Sequence, residues 1–213
     1  MYALQGLGDV ACIEGRYQDA EWAYNQSREE ALRLGSRRGS AYDLLWLGVL
    51  YVTQELYGKA RAALLEAQDE FHQLRDSNGI AECLKWLGNV DWKEGRITDG
   101  RCKLKEAVEK FQHLGQDGDV AECRQGLGEA SAAERRYEEG RNQVRNALGT
   151  FQRLNTPRGI ANCLTILGEI SVKQGRLEKA RSDLEAAYAS YEEMGVKDWW
   201  HARCLKNLVL ALV

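Results

Sequence analysis

The chain of 213 residues carries 29 basic and 32 acidic side chains, a formal net charge of −3, which gives no pull toward nucleic acid. No apolar run approaches the ~18 residues of a membrane span, and the first residues lack the basic and apolar segments of a signal peptide. Six cysteines are too few for a disulfide framework at this length, which points to a reduced, cytoplasmic setting.

Glycine and proline give conflicting hints, with 21 of one and 1 of the other. Proline is scarce where helices run uninterrupted, because it removes a helix hydrogen bond and clashes with the preceding turn. Taken from the N-terminus, the elements explain the glycines. Leu7-Gly8 lies in a first helical stretch, and Tyr17, Ala20, Tyr24 and Ser27 lie in a second. The pattern returns at Leu47-Gly48, Leu87-Gly88, Leu127-Gly128 and Leu167-Gly168, each 40 residues after the last. Cys83, Leu84, Leu87 and Val90 form one apolar stripe at helical spacing; Leu104, Ala107, Val108, Phe111 and Leu114 form the next. Gly15, Gly95 and Gly175 mark the turn within a hairpin, and Gly35, Gly115, Asn155 and Gly195 end the second helix. Arg75 departs from that rule, and Gly39, Gly79 and Gly159 read as links between units. Each unit is thus predicted as a helical hairpin of roughly 14 then 18 residues with short loops. Because one hairpin cannot bury its own apolar face, the units must stack into an α-solenoid. The predicted units are 1–40, 41–80, 81–120, 121–160 and 161–201, with a partial sixth at 202–213, in one domain.

These residues, at these spacings, resemble the tetratricopeptide repeat family in a 40-residue form. The resemblance implies an all-α, right-handed superhelix that acts as a non-catalytic scaffold and holds a peptide or partner segment in its concave groove. Two departures stand out: the family's early Trp is Leu4, Leu44, Leu84, Arg124 or Leu164, and its closing Pro is absent. Units of this length look like those of kinesin light chains, of Pins-type polarity adaptors and of sensor regions in NTPase-coupled signalling proteins. A regulatory segment of a larger signalling NTPase, touching its parent domains, is therefore one alternative. Another is a module that associates end to end through apolar ends such as Leu205, Leu208, Val209 and Leu212.

Nothing in the pattern carries catalysis or calls for a cofactor. Cys83, Cys123 and Cys163 recur with the repeat and lack the paired spacing of zinc ligands, so they read as packing residues. His72, His113 and His201 form no triad, and no glycine-rich phosphate loop opens a helix. The groove positions implied by the resemblance begin with Tyr42, Leu45 and Val49, with Trp46 beside them. They continue as Glu82, Lys85, Asn89, Trp92 and Lys93; Glu122, Gln125 and Glu129; and Asn162 and Glu169. Helical spacing independently places each set on one face. The early part is apolar and aromatic, while the later part is polar with an excess of glutamate. Lys85 and Asn89 match two positions of a known carboxylate clamp, but Gly126, Asn162 and Ile166 depart from the rest. Trp46 and Trp86 read equally as groove or as packing, since tryptophan serves both hot spots and gaps between hairpins. Trp199-Trp200 replaces the Gly-Ile of other units, beside a one-residue insertion that reshapes or caps the last turn.

Overall fold

The computed structural model describes residues 2–212, leaving aside the side chain of residue 2. Every element among them is an α-helix. In chain order these are α1 (Tyr2–Ile13), α2 (Tyr17–Arg33), α3 (Arg37–Thr53), α4 (Tyr57–Leu74), α5 (Ser77–Lys93) and α6 (Ile97–His113). They continue as α7 (Asp117–Ala133), α8 (Tyr137–Arg153), α9 (Pro157–Lys173), α10 (Leu177–Glu193) and α11 (Trp199–Leu212). The fold is all-α, made of stacked helical hairpins. Two compact units divide the chain between Lys110 and Phe111, inside α6.

The first helices α3, α5, α7 and α9 are 17 residues long, a turn more than expected. Their starts explain the difference. The Ser36 side chain accepts from the Gly39 amide at 3.3 Å and Asp76 accepts from that of Gly79 at 3.0 Å, while Pro157 opens α9. Gly39, Gly79 and Gly159 therefore belong to first turns rather than to links. A Cβ at Gly79 would lie 2.3 Å from the Phe71 ring, so the aromatic residue of the preceding helix seats directly on this backbone. The second correction concerns Arg75. It takes φ +54°, the same left-handed conformation that glycine adopts at the ends of α2 and α6, and so completes the turn without glycine.

Within a hairpin the Leu-Gly glycine permits a close crossing. A Cβ at Gly128 would stand 2.3 Å from Val144 Cγ2 and 3.0 Å from the Gly140 carbonyl oxygen. The helix-interior glycine costs ~1 kcal/mol in propensity, and the contact between backbones offsets it. Between hairpins the contact is apolar. In the first unit Leu47 and Leu50 of α3 pack on Ala11, Ala20 and Tyr24, with Trp46 and Tyr51 against them. In the second, Ile166, Leu167 and Ile170 pack on Val144, Ala147 and Phe151, and α11 brings Cys204, Leu208 and Ala211 onto Ala180, Leu184 and Ala187. Each fully buried Leu or Ile contributes roughly 1.5–3 kcal/mol.

A polar pair accompanies each of these joints. The Tyr51 hydroxyl donates to Glu21 at 2.6 Å, Arg61 binds Asp91 at 2.6 Å, and Arg141 donates to the Ser171 hydroxyl at 3.1 Å. All three pairs join the same two register positions. Asp91 is buried and also accepts from Arg96 at 3.0 Å and Lys103 at 2.7 Å. Such a carboxylate is tolerable in the interior only because cations surround it.

Candidate functional site

The first-helix face was expected to carry the ligand, and its residues divide into three groups. Leu45, Lys85 and Gln125 are buried at 1%, 4% and 7% exposure, so the expectation that they line an open surface is corrected. For Gln125 this position turns toward α9 rather than outward. Thr165 shares the position and is also buried, and Gln125 donates to the Gly159 carbonyl at 3.4 Å and to Cys163 Sγ at 3.1 Å. Lys85 meets Glu82 at 3.1 Å, and its ammonium lies 5.7 Å from the Trp86 ring. Trp46 packs on the α1–α3 cluster and serves the joint.

A second group is half-buried and polar. Tyr42 sits edge-on to Phe71 at 4.8 Å, and its hydroxyl accepts from Asn78 at 3.1 Å. Arg38 lies 5.8 Å above the same ring and pairs with Asp76 at 2.7 Å. Val49 and Glu82 are half-buried beside them along α3 and α5. The Trp92 indole donates to Asn89 at 3.2 Å, with the Lys93 ammonium 5.7 Å from its ring. Tyr42 at the start of α3, and Asn89 with Trp92 near the end of α5, are thus half-buried and each held by a hydrogen bond. In the second unit Glu122 is exposed, and Asn162 accepts from the Tyr191 hydroxyl at 2.8 Å. Asn78 and Arg38 escaped the sequence-based list because they lie in the extra first turn.

The third group was legible only in part. Glu129 on α7 and Glu169 on α9 occupy the same register position, and both are engaged by Arg203 of α11. Its guanidinium lies 2.6 Å from Glu129 and 2.5 Å from Glu169, which also meets Lys173 at 3.0 Å. Burial pushes the Glu169 carboxyl up, but Arg203 and Lys173 outweigh it and hold the group below its usual range. Burial would likewise lower the Arg203 pKa, and the two glutamates reverse that. The rings of Trp199 and Trp200 each stand 5.1 Å from the guanidinium. The inserted residue before Ala202 places Arg203 in register with Asn162, so counting it would have put the arginine on this face.

No group of three metal-ligating side chains occurs among the described residues. All six cysteines are free, and burial pushes the Cys163 thiol up to about 12, far from a reactive thiolate. No described helix is long and apolar enough to cross a membrane.

With this geometry in hand, comparison with known proteins defines the fold further. No family profile and no curated protein matches the sequence. Solved structures do. A Rap protein complexed with Competence and Sporulation Factor superposes with a TM-score of 0.85 over 99% of this chain, at 15% identity. This chain spans 62% of that Rap chain, less than two thirds. PlcR from Bacillus thuringiensis, in complex with the peptide PapR7 and DNA, gives 0.75 over 97% of this chain and 73% of its own, at 14% identity. BtubC from P. vanneervenii gives 0.72 over 92% and 82%, at 20% identity. The chain has a tetratricopeptide-like helical-repeat fold.

Proposed function

We propose that this protein is a non-catalytic scaffold that holds a peptide or an extended partner segment on its first-helix face, in the cytoplasm. The observation that carries the proposal is the surface of α3 and α5. Tyr42, Asn89 and Trp92 are held by hydrogen bonds, half-buried and chemically mixed. Rigid aromatic groups flanked by amides suit an extended chain, because they bury area at low entropic cost and can meet its backbone. That a Rap protein and PlcR were crystallised with such ligands supports the same use here. We assign the repeats to a 40-residue form of the tetratricopeptide pattern, since α3, α5, α7 and α9 begin 40 residues apart.

End-to-end association finds less support. Of the α11 residues it would use, Leu208 packs on the α10 cluster, while Leu205, Val209 and Leu212 stay exposed. Nor does a net charge of −3 favour a nucleic-acid partner.

The test is peptide display against the wild-type chain followed by titration of the selected peptides. Asn89→Ala with Trp92→Ala should weaken binding at least tenfold while the circular dichroism stays unchanged. Undiminished affinity in the folded double variant refutes the assignment.

A further inference from the structure

One pairing of arginine with glutamate recurs at the hairpin turns, and the second unit breaks it. Arg16, Arg96 and Arg136 stand at copies of the position just before a second helix. Each bonds the glutamate two residues earlier: Glu14 at 2.6 Å, Glu94, and Glu134 at 3.4 Å. At the α5–α6 turn the pairing grows into a joint. Arg61 of α4 reaches the same Glu94 at 2.5 Å and Asp91 at 2.6 Å, and Arg96 reaches Asp91 at 3.0 Å. Two guanidiniums there share two carboxylates.

Two repeats later both arginines are kept and both carboxylates are gone. Arg141 stands for Arg61 and Arg176 for Arg96, while Ser171 replaces Asp91 and Gln174 replaces Glu94. Arg141 is buried at 3% exposure, and its Nη1 donates to Ser171 Oγ at 3.1 Å and to Gln174 Oε1 at 3.2 Å, two neutral groups. Its Nε and Nη2 have no protein partner among the described residues. A buried cation needs an anion, and the nearby acids are engaged elsewhere. Glu138 is exposed and divided between Arg176 and Gln174, each at 3.4 Å, and Asp183 takes Lys179 at 2.8 Å. Arg145, one turn along α8, has no hydrogen bond or ion pair among the described residues and adds a third positive charge. Burial, then Arg145 and Arg176, push Arg141 below its ordinary range, and Glu138 and Asp183 do not offset them.

What is missing is what the first unit has, two negative charges offered by oxygens to two guanidinium forks. A single carboxylate restores one of them. A phosphate group carries about −1.5 to −2 charge on three acceptor oxygens, and arginine meets it with two parallel hydrogen bonds. We propose that Arg141, Arg145 and Arg176, where α8 meets the α9–α10 turn, form a site for a phosphate group, with Ser171 and Gln174 holding Arg141 in position. The anion takes the place that Asp91 and Glu94 fill in the first unit, and it ties α8 to the next hairpin as those carboxylates tie α4 to α5. The proposal uses none of Tyr42, Asn89 and Trp92 and stands without the scaffold reading.

The probe is inorganic phosphate, titrated calorimetrically into the full chain at constant ionic strength. Binding should be saturable, and acetate should bind at least tenfold more weakly. Arg145→Gln with Arg176→Gln, both exposed, should weaken phosphate at least tenfold with unchanged circular dichroism. Ser171→Asp with Gln174→Glu, which installs the carboxylates of the first unit, should weaken it by the same factor. Lys197→Gln with Lys206→Gln removes the same charge elsewhere and should bind as the wild type does. O-phospho-L-serine amide separates the two sources of such a group: binding at least tenfold tighter than inorganic phosphate assigns a phosphorylated side chain, and equal or weaker binding assigns the free ion. No saturable binding of either compound, undiminished binding in either of the first two variants, an equal loss in the lysine control, or acetate binding as tightly overturns the proposal.

Discussion

Asp43 is the residue whose chemistry is least at ease with its surroundings. It is fully buried on α3, at the register position that Cys83, Cys123, Cys163 and Cys204 occupy elsewhere. Burial pushes its carboxyl from 3.8 up to about 6, opposed by the Ser27 hydroxyl and Arg28 of α2 and reinforced by Asp9 of α1. A folded pKa above the unfolded one means that the folded state holds the proton more tightly. The associated stability is complete below about pH 4 and is lost as pH rises through about 6, of the order of 3 kcal/mol. Urea unfolding should show wild-type stability falling between pH 4 and pH 7. Asp43→Cys, which installs the residue of the other hairpins, should flatten that dependence and stabilise the protein at pH 7. An unchanged slope refutes the assignment. This residue went unmarked in the sequence, because its cost is visible only with its burial.

Among elements, the helix crossing sets the tolerance. Gly128→Ala places a methyl group against Val144 and the Gly140 carbonyl, and neither can withdraw without parting α7 from α8. The expected loss is about 1–3 kcal/mol in denaturant unfolding, although alanine is the better helix former by ~1 kcal/mol. Gly149→Ala, on a helix surface with nothing near its Cβ, should be neutral or stabilising and serves as the control. The crossing was legible in the sequence because Leu-Gly recurs in phase with a small residue twelve positions on. Helix starts were less so. Serine and aspartate caps were masked by the glycines that follow them, which read as links. Arg75 was misleading for the opposite reason, since tertiary packing imposed a left-handed turn on a residue that does not prefer it.

Across the whole molecule, what sequence spacing could assign was which residues share a helix face. Whether a face is open depends on the neighbour. Leu45, Lys85 and Gln125 share helical spacing with Tyr42 and Asn89, yet they are buried, and Gln125 meets the backbone and Cys163 of α9. Glu129 and Glu169 share a register position that the spacing shows, but their engagement by Arg203 is a contact across hairpins that no local pattern encodes. Stability depends on the joints, because stacked repeats gain most of their energy from their neighbours. Arg61→Ala and Asp91→Ala should therefore be strongly non-additive in unfolding experiments, with a coupling of about 1–3 kcal/mol. Additive losses would mean that the ion pair contributes nothing to its joint.

The polar pairs at these joints have a bearing on how such a chain assembles. Hairpins of near-identical shape invite wrong neighbours, because any apolar face accepts any other, and swapped arrangements are a common failure of repeat proteins. Tyr51 with Glu21, Asp91 with Arg61 and Ser171 with Arg141 use one pair of positions and three different chemistries. Exchanging partners would set Glu21 against Asp91, two carboxylates, or leave Arg61 facing a tyrosine hydroxyl in place of its counterion. The apolar surfaces make stacking favourable in any sequence of units, while these pairs act as address labels that disfavour an order setting Glu21 against Asp91.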